Sequence, residues 1–279
     1  MRVAIITDST ADLPKSTIEQ HNIGVVPLYI NIGEKSYLDS VDMTREEFYT
    51  GLPNFDKHPT TAVPGIDAFV NIYNQAIEKG AEAIISLHIG KALSNTVDVA
   101  RLAAEKIKEI PVHVFDPGNL SMGTGLLVQH AAMMAEAGEK VKDILASVAD
   151  KAKRTYTFAV LSTLEFLRRS GRLSNFMFGL GSILVLRPIL KMNDGVTDME
   201  RTRTDHGAFK KLIGLVEDLG RLEQLAFVHT HALEKLKRLQ QEAAYLVPEG
   251  LSPLVGEVTP VIGAHIGPGA VGFSVIKAA

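Results

Sequence analysis

The sequence predicts an α/β protein in two parts. An N-terminal domain on a mostly parallel, doubly wound sheet spans residues 1–150, and a C-terminal α+β domain with a mixed or antiparallel sheet spans 151–279. Three observations predict it. Short Val/Ile runs alternate with helical patterns through the first half. A strong turn signal, Asn193-Asp194-Gly195, breaks that alternation in the second. Small hydroxyl-bearing loops follow the strand candidates, where open α/β sheets place their ligands.

In order, the strand candidates of the first half are Val3–Thr7, Val25–Ile32, Ala83–His88 and Val112–Phe115. Between them the spacing predicts helices over Asp67–Lys79, Asn95–Ile107 and Met122–Ala135. In the first of these, Phe69, Ile72, Tyr73 and Ala76 recur at i, i+3, i+4 and i+7, one face of a helix. A helix over Val141–Lys153 leads into the second half. There Phe158–Leu161 reads as extended, Leu164–Arg169 as helical, and Ile189–Met192 with Val196–Arg203 as the arms of a hairpin. A helix over Phe209–Leu219, a strand over Leu225–Val228, a helix over Leu233–Leu246 and two extended segments close the chain.

Composition bounds the function. The 279 residues include 46% hydrophobic and 22% charged, enough for a real core, and the net charge of −3 offers no field for nucleic acid or anionic lipid. Cysteine is absent, which excludes disulfides and thiolate metal sites. The apolar stretch from Phe176 to Leu186 contains two glycines and falls short of the roughly 20 residues a bilayer requires. Val3-Ala4-Ile5-Ile6 is too short for a signal-peptide core. The expectation is a soluble cytoplasmic protein, a monomer, with no nucleic-acid partner, no stable membrane insertion, no metal and no cofactor.

The loops read Thr7-Asp8-Ser9-Thr10, Thr60-Thr61, Leu93-Ser94-Asn95-Thr96, Ser170-Gly171-Arg172 and His265-Ile266-Gly267-Pro268-Gly269. With Leu167-Arg168-Arg169, Arg187-Pro188-Ile189-Leu190 and Arg201-Thr202-Arg203, they occur in an order that resembles the DegV family, bacterial fatty-acid-binding proteins that include the FakB subunits of fatty acid kinase. Each motif alone is weak, but together they span the whole chain. The resemblance implies two α/β domains enclosing a long-chain fatty acid. It assigns the carboxylate to Thr61, Ser94 and His265, with Asn95 beside them, and implies a separate ATP-binding kinase subunit that phosphorylates the bound acid. Four departures stand out: Asn95 and Ser170 replace family glycines, Thr61-Ala62-Val63 replaces Ser-Gln-Pro, and Asp116-Pro117 replaces Asp-Ser.

The residues read the same way chemically. A buried carboxylate needs several donors to offset its lost hydration, and each bond to a charged group contributes about 1.5–3 kcal/mol. Thr61 and Ser94 supply two, and N–H groups at Asn95-Thr96 supply more if a helix starts there. Both residues are equally ordinary as loop and cap residues. His265 suits a carboxylate or the charge on a forming acyl phosphate, and Arg203 is the candidate contact for that phosphate. Arg172 is assigned to partner docking. Phe158, Leu161, Leu164, Phe178 and Ile183 are candidate walls of an apolar tail pocket, although each also reads as plain core.

Several motifs are decoys. Gly267–Gly272 matches G-x-G-x-x-G, but no βαβ unit follows it. His229-Thr230-His231 lacks a matching carboxylate cluster, and Gly118–Gly123 has the wrong spacing for a nucleophile elbow. No catalytic residue is expected. The alternatives are an acyl or phosphoryl hydrolase or transferase with Ser94 as nucleophile and His265 as base, or a lipid-sensing regulatory module.

Overall fold

A computed structural model describes residues 1–175 and 187–279 and the backbone of Phe176. Its first sheet is all parallel, with strands β1 (Val3–Asp8), β2 (Gly24–Val26), β6 (Ala83–Leu87) and β7 (Val112–Phe115) in the order β2-β1-β6-β7. Every residue of β6 is buried, as a strand covered on both faces requires. Helices α3 (Ile66–Glu78) and α4 (Thr96–Ala104) cover one face, setting Phe69, Tyr73, Ala100 and Ala103 against Ile6 and Ile84. Helix α5 (Ser121–Glu136), flanked by α6 (Val141–Lys153), covers the other through Leu126 and Leu127 on Ile5 and Ile85.

The second large sheet runs β10-β9-β8-β13-β11-β12. It comprises β8 (Thr155–Val160), β9 (Arg187–Asn193), β10 (Val196–Thr202), β11 (Leu222–His229), β12 (Leu254–Glu257) and β13 (Val271–Lys277). All pairings are antiparallel except β11 with β12. Helices α8 (Asp205–Glu217) and α9 (Leu233–Glu242) cover its outer face, and Ala226, Val228 and Ile276 on the inner face join the core around α5. Helix α5 is therefore the middle layer between two sheets. It has to be apolar all round and thin, and small residues make it so. A Cβ on Gly125 would meet the Ala11 carbonyl oxygen at 2.5 Å, and one on Gly123 would collide with Asn119 and Thr157.

The expected strand Val25–Ile32 is in fact two. Pro27 has no N–H to continue the ladder, and the Leu28 N–H turns to Ser9 Oγ at 3.2 Å. Beyond it β3 (Tyr29–Ile32) joins β4 (Lys35–Leu38) and β5 (Thr60–Ala62) in a small antiparallel sheet, ordered β4-β3-β5. Helix α1 (Lys15–Gln20) precedes β2, and α2 (Arg45–Gly51) starts on a Thr44/Glu47 capping box. Phe48 and Tyr49 of α2 pack with Leu28 and Ile30 against Val261 and Ala264 of α10 (Pro260–Ile266). Short helix α7 (Glu165–Arg169) follows β8. The expected loop at His265 is thus the last turn of a helix, started by Pro260 and ended by Gly267 at φ 73°.

Candidate ligand-binding site

In the parallel sheet the strand order reverses between β1 and β6, so a crevice opens beyond their carboxyl ends. The loops leaving these strands supply Thr10, Ile89, Ser94 and Asn95, β5 supplies Thr61, and α10 supplies His265. All six line one cavity of about 330 Å³, within the ~300–1,000 Å³ of small-molecule sites. Along α10, Val261, Ile262, His265 and Ile266 share the face turned to it. Leu120, Leu190, Ile262 and Ile266 also line a second space, an apolar slot of about 40 Å³, so the two cavities share a wall.

Inside the cavity the Thr61 hydroxyl and His265 Nε2 are 2.9 Å apart, and His265 Nδ1 is buried without a hydrogen-bond partner among the described residues. Burial, then the charges of Arg172 and His58, push the His265 imidazole down to about 4, so it is neutral near pH 7. Ser94 Oγ lies 2.8 Å from Thr96 Oγ1 and accepts the Thr96 N–H at 3.4 Å. Asn95 occupies the cap position of α4 at φ −80°, and Ser170 sits at φ −83°. Neither departure from glycine strains the backbone, because both angles suit any L residue.

Beneath this cavity lies a second polar cluster. Asp8 accepts from Thr10 N–H at 3.0 Å, from the Thr10 hydroxyl and from Ile89 N–H at 3.0 Å, and its Oδ2 is 3.0 Å from His88 Nδ1. His88 Nε2 is 2.7 Å from Ser86 Oγ, which accepts from the Tyr73 hydroxyl at 3.0 Å. Burial alone would raise the Asp8 carboxyl, but His88, Thr10 and the Ile89 N–H outweigh it and hold it below the usual carboxylate range. The Ser-His-Asp order is that of a hydrolase triad, yet Ser86 and His88 are wholly buried. The cluster fixes the two loops that carry Thr10 and Ile89.

A family model described as "Uncharacterised protein, DegV family" matches residues 2–278. The chain belongs to the DegV family. A DegV domain-containing protein of Streptomyces coelicolor is 34% identical over 278 residues, covering 98% of each chain. Among solved structures, a DegV family protein from Thermus thermophilus, described as fatty acid binding, matches with a TM-score of 0.90 at 31% identity over the full length of both chains. DegV of Bacillus subtilis, described as a fatty acid binding protein, matches with a TM-score of 0.91 at 29% identity, again at full coverage. These neighbours share the parallel N-terminal and mixed C-terminal sheets of this DegV chain.

The structure brings Thr61, Ser94, Asn95 and His265 together and sorts the remaining candidates. Arg172 is exposed, but it also lines the cavity, close enough for its charge to act on His265. Arg203 is exposed just beyond β10 and is not among the described residues lining the cavity. Leu161 lines the slot, whereas Leu164 stands behind the wall in a cluster with Leu161, Leu167 and Leu190. Phe158 is corrected: side chains alternate along β8, so Thr157 and Ala159 face the slot while Phe158 packs with Phe209 and Leu212 on the far side. Phe178 and Ile183 lie outside the described residues. The sequence reading named Thr10 and Leu190 only within their motifs and missed Leu120, Val261 and Ile262. The signal for the last two was Pro260, which marks a helix start and places Val261 and His265 at i and i+4.

Proposed function

We propose that this protein binds a long-chain fatty acid and carries it as a non-catalytic subunit. Thr61, Ser94, His265 and the Asn95-Thr96 backbone hold the carboxylate, and the tail runs past Leu120 and Leu190 into the apolar slot. The observation that carries this reading is a cavity into which four places in the fold, the loops after β1 and β6, strand β5 and helix α10, bring hydroxyl, amide and imidazole groups, and which shares one wall with an apolar slot. The Thr61 and Ser94 hydroxyls, both lining this cavity, give a carboxylate oxygen groups to bond. The fatty-acid-binding descriptions of the Thermus and Bacillus relatives support the same ligand class. A separate ATP-binding kinase subunit is the proposed partner, reaching the carboxylate past exposed Arg172, with Arg203 as an outer phosphate contact. Among the described residues no helix is long and apolar enough to cross a membrane.

Native mass spectrometry of the purified protein, followed by identification of what denaturation releases, tests the reading. One stoichiometric fatty acid supports it; a chain that neither retains nor takes up fatty acid overturns it. Addition of kinase subunit and ATP then tests presentation through acyl-phosphate formation. The hydrolase alternative is disfavoured by the pairing observed: His265 bonds Thr61, and Ser94 bonds Thr96, so base and nucleophile are not joined.

A further inference from the structure

Strands β8 and β9 pair so that Ala159 faces Leu190 and Thr157 faces Met192. All four line the slot, but of the β9 pair only Leu190 also lines the larger cavity. A chain leaving the cavity therefore passes Leu190 first and meets Met192 about 6.6 Å further along the strand. At Met192 the facing wall turns polar. The Thr157 hydroxyl donates to Asn119 Oδ1 at 2.7 Å and lies 2.9 Å from Ser274 Oγ, while Asn119 Nδ2 donates to the Thr155 carbonyl at 3.0 Å. An acyl methyl group offers these buried groups nothing in exchange for their bonds. Met192 is 2% exposed, and its Cε lies 3.0 Å from where a Cβ on Gly90 would stand, so it fills the space the polar groups leave. The polar floor is fixed by its bonds, whereas the unbranched thioether side chain can adjust.

We propose that Met192 sets the length of acyl chain this protein accepts, an inference that rests on the fatty-acid reading above. Each methylene finding a dry wall tightens binding about fourfold, so affinity climbs with chain length and breaks where the tail reaches Met192. The experiment measures dissociation constants of the delipidated full chain for straight saturated acids of about 12 to 20 carbons, a range wide enough to contain such a break. The same series is run on Met192→Ala and Met192→Phe, with thermal melts of each. Truncation is expected to move the break about two carbons longer, because it removes three heavy atoms, and Met192→Phe to move it shorter. Opposite shifts cannot come from a general loosening of the fold. Should Met192→Phe fail to melt cooperatively, Met192→Val is used instead and is expected to shift the break in the same direction as Ala, by less. An unmoved break, or one moving the same way for truncation and enlargement, overturns the role of Met192 while leaving fatty-acid binding intact. If the native chain binds none of the acids, the underlying reading falls and this inference with it.

Discussion

Two histidine clusters a few residues apart in space show how the same residue types serve structure in one place and binding in the other. His88 is bonded on both ring nitrogens, to Asp8 and to Ser86, and is wholly buried beside Phe69. His265 is bonded on one nitrogen, to Thr61, and lines an open cavity, with its other nitrogen buried and unpartnered among the described residues. Judged by residue identity, the Ser86-His88-Asp8 chain is the better catalyst. Judged by access and by spare hydrogen-bonding capacity, only the His265 cluster can receive a ligand.

The comparison breaks most directly through His88→Ala. Removing the imidazole leaves the buried Asp8 carboxylate without its main side-chain partner, and the loss expected is about 3 kcal/mol or more. Urea unfolding of this variant against His265→Ala measures the contrast, since the latter removes a single hydrogen bond and is expected to cost about 1 kcal/mol. Equal losses would erase the distinction between scaffold and site. Next in size is the binding effect of Thr61→Val combined with Ser94→Ala. Two hydrogen bonds to a charged carboxylate account for about 3 kcal/mol, on the order of a hundredfold in affinity. A titration with fatty acid checks this, and unchanged affinity with an unchanged melting temperature would place the head group elsewhere.

Asp12 extends the comparison to carboxylates. It is as buried as Asp8, but among the described residues it accepts from the Ser121 hydroxyl at 2.5 Å and the Thr259 N–H at 2.8 Å and is bonded to no imidazole. Burial therefore prevails and pushes its carboxyl up to about 7, against the favourable charge of Arg45 and these two bonds. The folded state then holds a proton that the unfolded state, at an ordinary 3.8, releases. That contribution to stability is fully present below the unfolded value and is lost as the pH rises through about 7. The expected decline between pH 6 and pH 8 is about 1 kcal/mol. Denaturation midpoints at the two pH values measure it, and Asp12→Asn is expected to flatten the difference.

How much of this was legible in the sequence follows the same physical division. Strands such as β6 carry an unbroken apolar run and helices such as α3 a 3.6-residue periodicity, and the grouping of Thr61, Ser94 and His265 was available from the family resemblance that the loop motifs carry. The small sheet of β3, β4 and β5 was not, because Lys35 and Ser36 are exposed and the strands are three or four residues long. The side to which Phe158 points was not legible either. In β8 Thr155, Thr157 and Ala159 alternate with Tyr156, Phe158 and Val160, but both faces are covered by protein, so the alternation alone does not say which set faces a ligand. In β8 the large Phe158 and Val160 turn outward to α8, while the small Thr157 and Ala159 leave room for the slot. That difference in size becomes informative only once the neighbours are known.

The smallest expected effect separates the two histidines most cleanly. With its imidazole held down at about 4 by burial, His265 is neutral at pH 6 to 8. A carboxylate placed beside it favours the charged form, so binding raises the imidazole value and draws a proton from solvent. Affinity must then increase as the pH falls. If the bound value only returns to the ordinary 6.5, binding at pH 6 is roughly fourfold tighter than at pH 8. Calorimetry in buffers of different ionisation enthalpy reads the proton uptake directly, at a pH where the fatty acid itself stays ionised. His265→Asn keeps a polar group near Thr61 but cannot take up a proton, so the pH dependence should vanish while binding persists. A dependence that survives this substitution would assign the proton to another group and leave His265 as a neutral hydrogen-bond partner.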